Sequence, residues 1–239
     1  MVRKLGILLV VLSVGGILGL LFAAYTPVTE LSGPAAHYAR HGAEELGSAN
    51  LVTAVVVTYR GLDTLGEVVV LFLAATVIGL LLRNAGGERG AAGLPPSEIL
   101  STGAALLAPL VILLGVFIFL HGHLTPGGGF QGGAVIAVAA LLQMLGKPGT
   151  RSSGRILHLV ESVSGLTYLA LGILGIFLAG GFLDNRILDT GIPGRLVSAG
   201  AIPIIYSLIG LKVGTELAGI LGGLRGEAGG RNLEESPHD

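Results

Sequence analysis

Six long apolar runs decide what this chain can become: Leu5–Ala24, Leu62–Leu82, Ile99–Leu120, Gly128–Leu145, Ile156–Leu178 and Ala199–Leu221. Each holds 18 to 23 residues, which as a helix reaches roughly 27–35 Å and crosses the hydrocarbon core of a bilayer. At 51% hydrophobic residues the chain is too apolar for an ordinary soluble domain. In lipid, backbone groups must be satisfied within the segment, so these runs predict an all-α polytopic membrane protein of about six spans. The fourth run begins in glycines and is short, which leaves a re-entrant loop as its competing reading. The first follows Arg3-Lys4 and ends at Ala23-Ala24, as a signal peptide would. Its apolar stretch exceeds the usual signal core of about 7–15 residues, which favours a retained anchor.

Basic residues set the expected orientation. With the N-terminus inside, cytoplasmic segments hold nine: Arg3, Lys4, Arg83, Arg89, Lys147, Arg151, Arg155, Arg225 and Arg231. The outer loops hold three, Arg40, Arg186 and Arg195. That bias predicts both termini in the cytoplasm of a multi-pass cell-membrane protein. Residues 84–96, rich in glycine and closed by Pro95-Pro96, read as a linker. They separate a two-span unit, 1–83, from a four-span unit, 97–222, and a polar tail, 223–239, follows. Ser97 is placed to cap the third span.

Between the third and fourth runs stands His121-Gly122-His123-Leu124-Thr125-Pro126-Gly127-Gly128-Gly129-Phe130-Gln131-Gly132-Gly133. Polar, glycine-rich backbone at a membrane boundary survives only where protein or water satisfies it. This stretch resembles the Gly-His-x-x-Pro-Gly-Gly-Gly-Phe-x-Gly-Gly signature of the MnhB/MrpB family, the B component of Mrp-type multisubunit Na+/H+ antiporters, and the related component of membrane-bound hydrogenases. Before the linker, the segment from Asn50 to Glu67 resembles the C-terminal end of the Mrp antiporter A component and the small E component of membrane-bound hydrogenases. That family usually carries an acidic residue where this chain has Thr58. The chain thus looks like a fusion of two neighbouring subunits. The resemblance implies partners in other membrane subunits of such a complex, with Na+ and H+ as transported ions.

Charges within spans are costly and line polar paths or meet partners. Glu67 lies about 8 Å inside the second span by helical rise and reads as an ion-path group. Arg60 and Asp63, nearer the boundary, read as an interfacial pair that tunes the entrance. His121 and His123 flank Gly122 and read either as a polar boundary site that holds protons and orients the Pro126-Gly127-Gly128-Gly129 turn, or as solvated interface. Two histidines without a third ligand do not make a metal site. His158 and Glu161 lie three apart on the fifth span, with Glu161 roughly 7–8 Å deep and suited to reversible protonation or to a static cross-helix hydrogen bond. Lys212 and Glu216, one turn apart on the sixth, read as a neutralised pair or as part of a lateral proton relay.

Gly127-x-Gly129-x-x-Gly132 matches the dinucleotide fingerprint only formally, since no strand precedes it and no acidic residue follows at the needed distance. Gly129-x-x-x-Gly133 and Gly210-x-x-x-Gly214 instead predict close helix contacts. The absence of cysteine excludes disulfides, iron–sulfur clusters and thiolate zinc sites. No catalytic centre, nucleic-acid face or resident cofactor is expected in this chain. Three functional readings follow: a subunit contributing to ion translocation, in a stand-alone antiporter or a redox-driven complex; a structural scaffold joining neighbouring subunits; and a standalone small-solute carrier, whose expected inverted repeat is not visible between the two halves.

Overall fold

The computed structural model describes residues 2–26, 30–84, 96–147 and 154–224. Among these, six helices are long and apolar enough to cross a membrane. All of the expected linker but its two ends lies outside the described residues, as does the tail beyond Leu224. So do Arg89, Arg151, Arg225 and Arg231 of the orientation count.

Two compact units divide between His37 and Tyr38. The first holds α1 (Val2–Ala24) and the opening turn of α2 (Gly33–Leu46). The apolar run of α1 carries one hydroxyl, Ser13, which donates back to the Leu9 carbonyl at 2.8 Å. That is how a lone hydroxyl is satisfied inside a span.

The second unit opens with the remainder of α2, a polar helix that buries Gly42 and Leu46. Hydropathy alone gave no sign of this helix within the first loop. A short turn, α3 (Leu51–Thr53), follows and widens into a π-helix, Ala54–Tyr59. Asn50 starts it, its carboxamide oxygen accepting from the Val52 and Thr53 amides at 3.1 and 3.4 Å. The Arg60 amide closes the π turn on the Val55 carbonyl five residues back, at 2.8 Å. From there runs α4 (Gly61–Asn84), the second span.

After the linker, Ser97 caps α5 (Glu98–Leu120), its hydroxyl accepting from the Leu100 amide at 3.2 Å. A loop over residues 121–128 leads to α6 (Gly129–Gly146), then α7 (Gly154–Leu178). Residues 179–201 form an irregular ledge before α8 (Ile202–Leu224). The last helix begins at Ile202 rather than at Ala199, the start of the apolar run. Ala199 and Gly200 have φ of +64° and +56°, the left-handed region from which a right-handed helix cannot continue.

Glycines place α6. A β-carbon on Gly132 would stand 2.5 Å from the Gly115 carbonyl oxygen of α5, and one on Gly133 would stand 2.7 Å from that of Gly210 on α8. Gly129 meets the Ile209 side chain in the same way, at 2.6 Å. Both predicted small-residue faces therefore pack against each other, and α6 is a continuous helix wedged between α5 and α8. The hub is α8, which touches α4, α5, α6 and α7. Its Ile202, Ile205, Tyr206, Ile209 and Val213 form the centre of the buried core, joined by Phe119 and Tyr168.

Candidate functional site

Four ionisable side chains from α7 and α8 converge. Lys212 Nζ donates to Glu216 Oε1 at 2.5 Å, the one-turn pair expected from spacing. The same ammonium lies 3.9 Å from Glu161 Oε1, a cross-helix contact that spacing along one helix could not reveal. Glu161 Oε2 in turn lies 3.5 Å from His158 Nδ1. Exposure falls steeply along this row: the side chains of His158, Glu161, Lys212 and Glu216 are 83%, 17%, 10% and 1% exposed. The row thus begins at the surface and ends in the packed interior, where Glu216 Oε2 has no hydrogen-bond partner among the described residues.

Two uncharged residues complete the setting, and neither stands out in the sequence. The Lys212 ammonium sits over the ring of Phe72 on α4, 4.9 Å from its centroid. Its stem passes Gly165 of α7, where a β-carbon would lie 3.5 Å from Lys212 Cδ. An aromatic facing a buried lysine is a signal only once the helices are docked.

Glu67 stands apart. It lies on an exposed flank of α4 and has no ion pair or hydrogen bond among the described residues. The buried phenols Tyr168 and Tyr206 lie within electrostatic range of it. The Tyr168 hydroxyl is itself buried without a hydrogen-bond partner among the described residues. Arg60 and Asp63 form an exposed surface pair at 2.5 Å. Thr58 Oγ1, at the position where the resembled family is acidic, is buried and has no hydrogen-bond partner among the described residues.

The 121–128 loop is held rather than free. Asn50 donates its amide to the His123 carbonyl at 3.0 Å and its carboxamide to the Gly122 and Thr125 carbonyls, each at 2.9 Å. The Thr53 hydroxyl donates to the Gly122 carbonyl at 2.6 Å, and the Tyr206 hydroxyl donates to Thr53 Oγ1 at 3.1 Å. His121 and His123 part company: His121 stacks on Phe117, while His123 is fully buried with Nε2 3.3 Å from the Arg195 carbonyl. Burial pushes the His123 imidazole below its usual range, and its Nδ1 has no partner among the described residues. Pro126 is exposed and Gly127 half-buried, while Gly128 and Gly129 pack against Tyr206 and Ile209.

A polar recess, about 240 Å³, opens between Glu45, Thr58, Tyr59, Asp184 and Arg186. Burial alone would raise the Asp184 carboxyl, but hydrogen bonds and charge from Arg186 outweigh it and hold it below the usual range. Burial, then a hydrogen bond donated to Glu45, pushes the Tyr59 phenol up. Among the described residues no group of three His, Asp or Glu side chains is gathered as for a metal ion.

Comparison with known proteins gives a consistent picture. Residues 99–219 match the family described as a domain related to the MnhB subunit of Na+/H+ antiporter, and residues 2–95 match the MbhE family, a subunit of MBH. An uncharacterised protein of Methanocaldococcus jannaschii is 34% identical over 197 residues, covering 72% of this chain and 74% of its own. A probable K(+)/H(+) antiporter A/B subunit of Rhizobium meliloti is 30% identical, and the match covers 89% of this chain but 24% of that protein. Among solved structures, a chain of the membrane-bound sulfane sulfur reductase, an archaeal respiratory membrane complex, superposes with a TM-score of 0.78 at 44% identity. That match covers 94% of this chain and 98% of the other. A chain of the Mrp complex from Dietzia sp. DQ12-45-1b gives 0.76 at 25% identity, over 98% of this chain and 27% of that one.

Proposed function

The chain belongs to the family of domains related to the MnhB subunit of Na+/H+ antiporters, and from that premise we propose that its charged row carries protons for cation exchange. The protein is a multi-pass membrane subunit of an antiporter-like module, with an MbhE-like segment ahead of the MnhB-like domain. Its partners are the other membrane subunits of such a module. We place it in the cell membrane with both termini inside, as the basic-residue bias favours.

The observation that carries this reading is the lysine held between two carboxylates, 2.5 Å from Glu216 and 3.9 Å from Glu161. An ammonium that moves toward Glu161 abandons Glu216 in a dry interior. A bare carboxylate there costs several kcal/mol, so charge movement and proton uptake are tied together. His158 at the exposed end passes the proton to or from water. Glu67, on an exposed face of α4, serves the other half of the path. The transported cation, Na+ or K+, competes with the proton for a carboxylate, which is the physical basis of exchange.

The test uses inside-out vesicles with assembly checked by native gel. Glu161→Gln and Glu67→Gln should each cut cation-dependent collapse of the pH gradient while the complex remains assembled. The scaffold reading has its own support in the hydrogen bonds that bind the 121–128 loop to Asn50 and Thr53. It predicts silent carboxylate substitutions and loss of assembly in Gly129→Leu. Full transport in both assembled glutamine variants would sink the proton-carrying role.

A further inference from the structure

A lysine ammonium on an unbranched stem swings freely unless its surroundings stop it. Three surfaces bound that of Lys212. Glu216 holds it from its own helix at 2.5 Å, Glu161 stands 3.9 Å away on α7, and the ring of Phe72 lies 4.9 Å away on α4. The stem runs past Gly165, where a β-carbon would come 3.5 to 3.6 Å from Cδ and Cε. The ring closes the α4 side of the ammonium.

We infer that Phe72 is a positioning residue, its ring face holding the Lys212 ammonium in register between Glu161 and Glu216. An aromatic face attracts a cation through its quadrupole, which an aliphatic side chain of equal bulk does not. Phe72 falls in the MbhE-like segment, whereas Glu161, Lys212 and Glu216 fall in the MnhB-like domain. The first segment therefore sets the geometry of a charge row that the second segment owns. That the row moves protons rests on the function proposed above; the contact itself does not.

The experiment is a double-mutant cycle on the purified full chain, unfolded by SDS titration from mild detergent. One arm compares Phe72, Phe72→Tyr and Phe72→Leu with Lys212 and Glu216 intact. The other repeats the series in Lys212→Met/Glu216→Gln, where neither member of the buried pair is charged. The inference expects Phe72→Tyr to match the parent and Phe72→Leu to lower the folded-to-unfolded ratio. Coupling to Lys212 should be about twofold to thirtyfold, the range for a cation over an aromatic face. Equal losses from Phe72→Leu in both backgrounds, or equal behaviour of tyrosine and leucine, would overturn it. Pentafluorophenylalanine at position 72 keeps the shape but reverses the quadrupole. It should mimic leucine, and a parent-like result would also overturn the inference. The transport reading fails separately: a positive cycle with normal exchange in Glu161→Gln leaves the contact standing and removes its role in proton movement.

Discussion

Lys212→Met isolates the energetics of the charge row. The parent pair is buried on both sides, with the Lys212 and Glu216 side chains 10% and 1% exposed and 2.5 Å apart. Methionine fills similar space but offers no positive charge. Glu216 Oε2 already lacks a partner among the described residues, so the substitution strips the other oxygen as well. Removing one member of a buried ion pair costs about 3–5 kcal/mol, mostly from the charge left behind. Glu216→Gln added to Lys212→Met removes that charge and should return at least half of the loss. The assay is SDS titration of the purified chain, read by far-UV circular dichroism. A loss below about 1 kcal/mol, or a double variant no more stable than the single one, would refute the assignment of a dry, mutually dependent pair.

Three further outcomes follow from the geometry. Gly133→Leu should abolish assembly of a compact bundle, because even a β-carbon there meets the Gly210 carbonyl at 2.7 Å and Val213 Cβ at 2.8 Å; overpacking costs about 1–3 kcal/mol before helices separate, and an unchanged gel-filtration profile and melting curve would contradict it. Asn50→Ala removes two side-chain hydrogen bonds to the 121–128 loop and the cap of α3; at about 1 kcal/mol each, the total is about 2–4 kcal/mol, checked by faster amide exchange across residues 121–125. His123, held below the ordinary histidine value by burial, contributes stability that is complete above about pH 6.5 and is lost as pH falls toward its depressed value, by up to about tenfold per pH unit. Amide exchange of Ala199 and Ala201 on the adjoining ledge should therefore accelerate in mild acid, and His123→Asn should flatten that dependence.

The spans were legible in the sequence because length and apolarity are local properties, and most predicted ends fall within two residues of the helices. The start of α8 was missed because Ala199-Gly200-Ala201 is apolar but opens on left-handed backbone. The polar helix α2 was invisible to hydropathy, and the π turn shows in the sequence only as a short apolar stretch, Ala54–Tyr59, with no sign of its wider winding. At the site, the Lys212–Glu216 pair follows from one helical turn. Its extension to Glu161 and Phe72 depends on how α4 and α7 dock on α8, which no spacing encodes. His121 and His123 looked alike in sequence. In the fold they differ: His123 is buried against the Arg195 carbonyl of the 179–201 ledge, whereas His121 stacks on Phe117.

The most direct test of the account is cation-driven proton movement in inside-out vesicles carrying Glu216→Gln, with assembly of the complex verified in the same preparation. Glutamine keeps the shape of a side chain that is 1% exposed but can neither hold a proton reversibly nor balance Lys212. The account predicts a fall of at least about tenfold in the initial rate, as loss of an essential proton-transfer group gives. Exchange at the parental rate in a fully assembled complex would contradict it and leave the chain a scaffold.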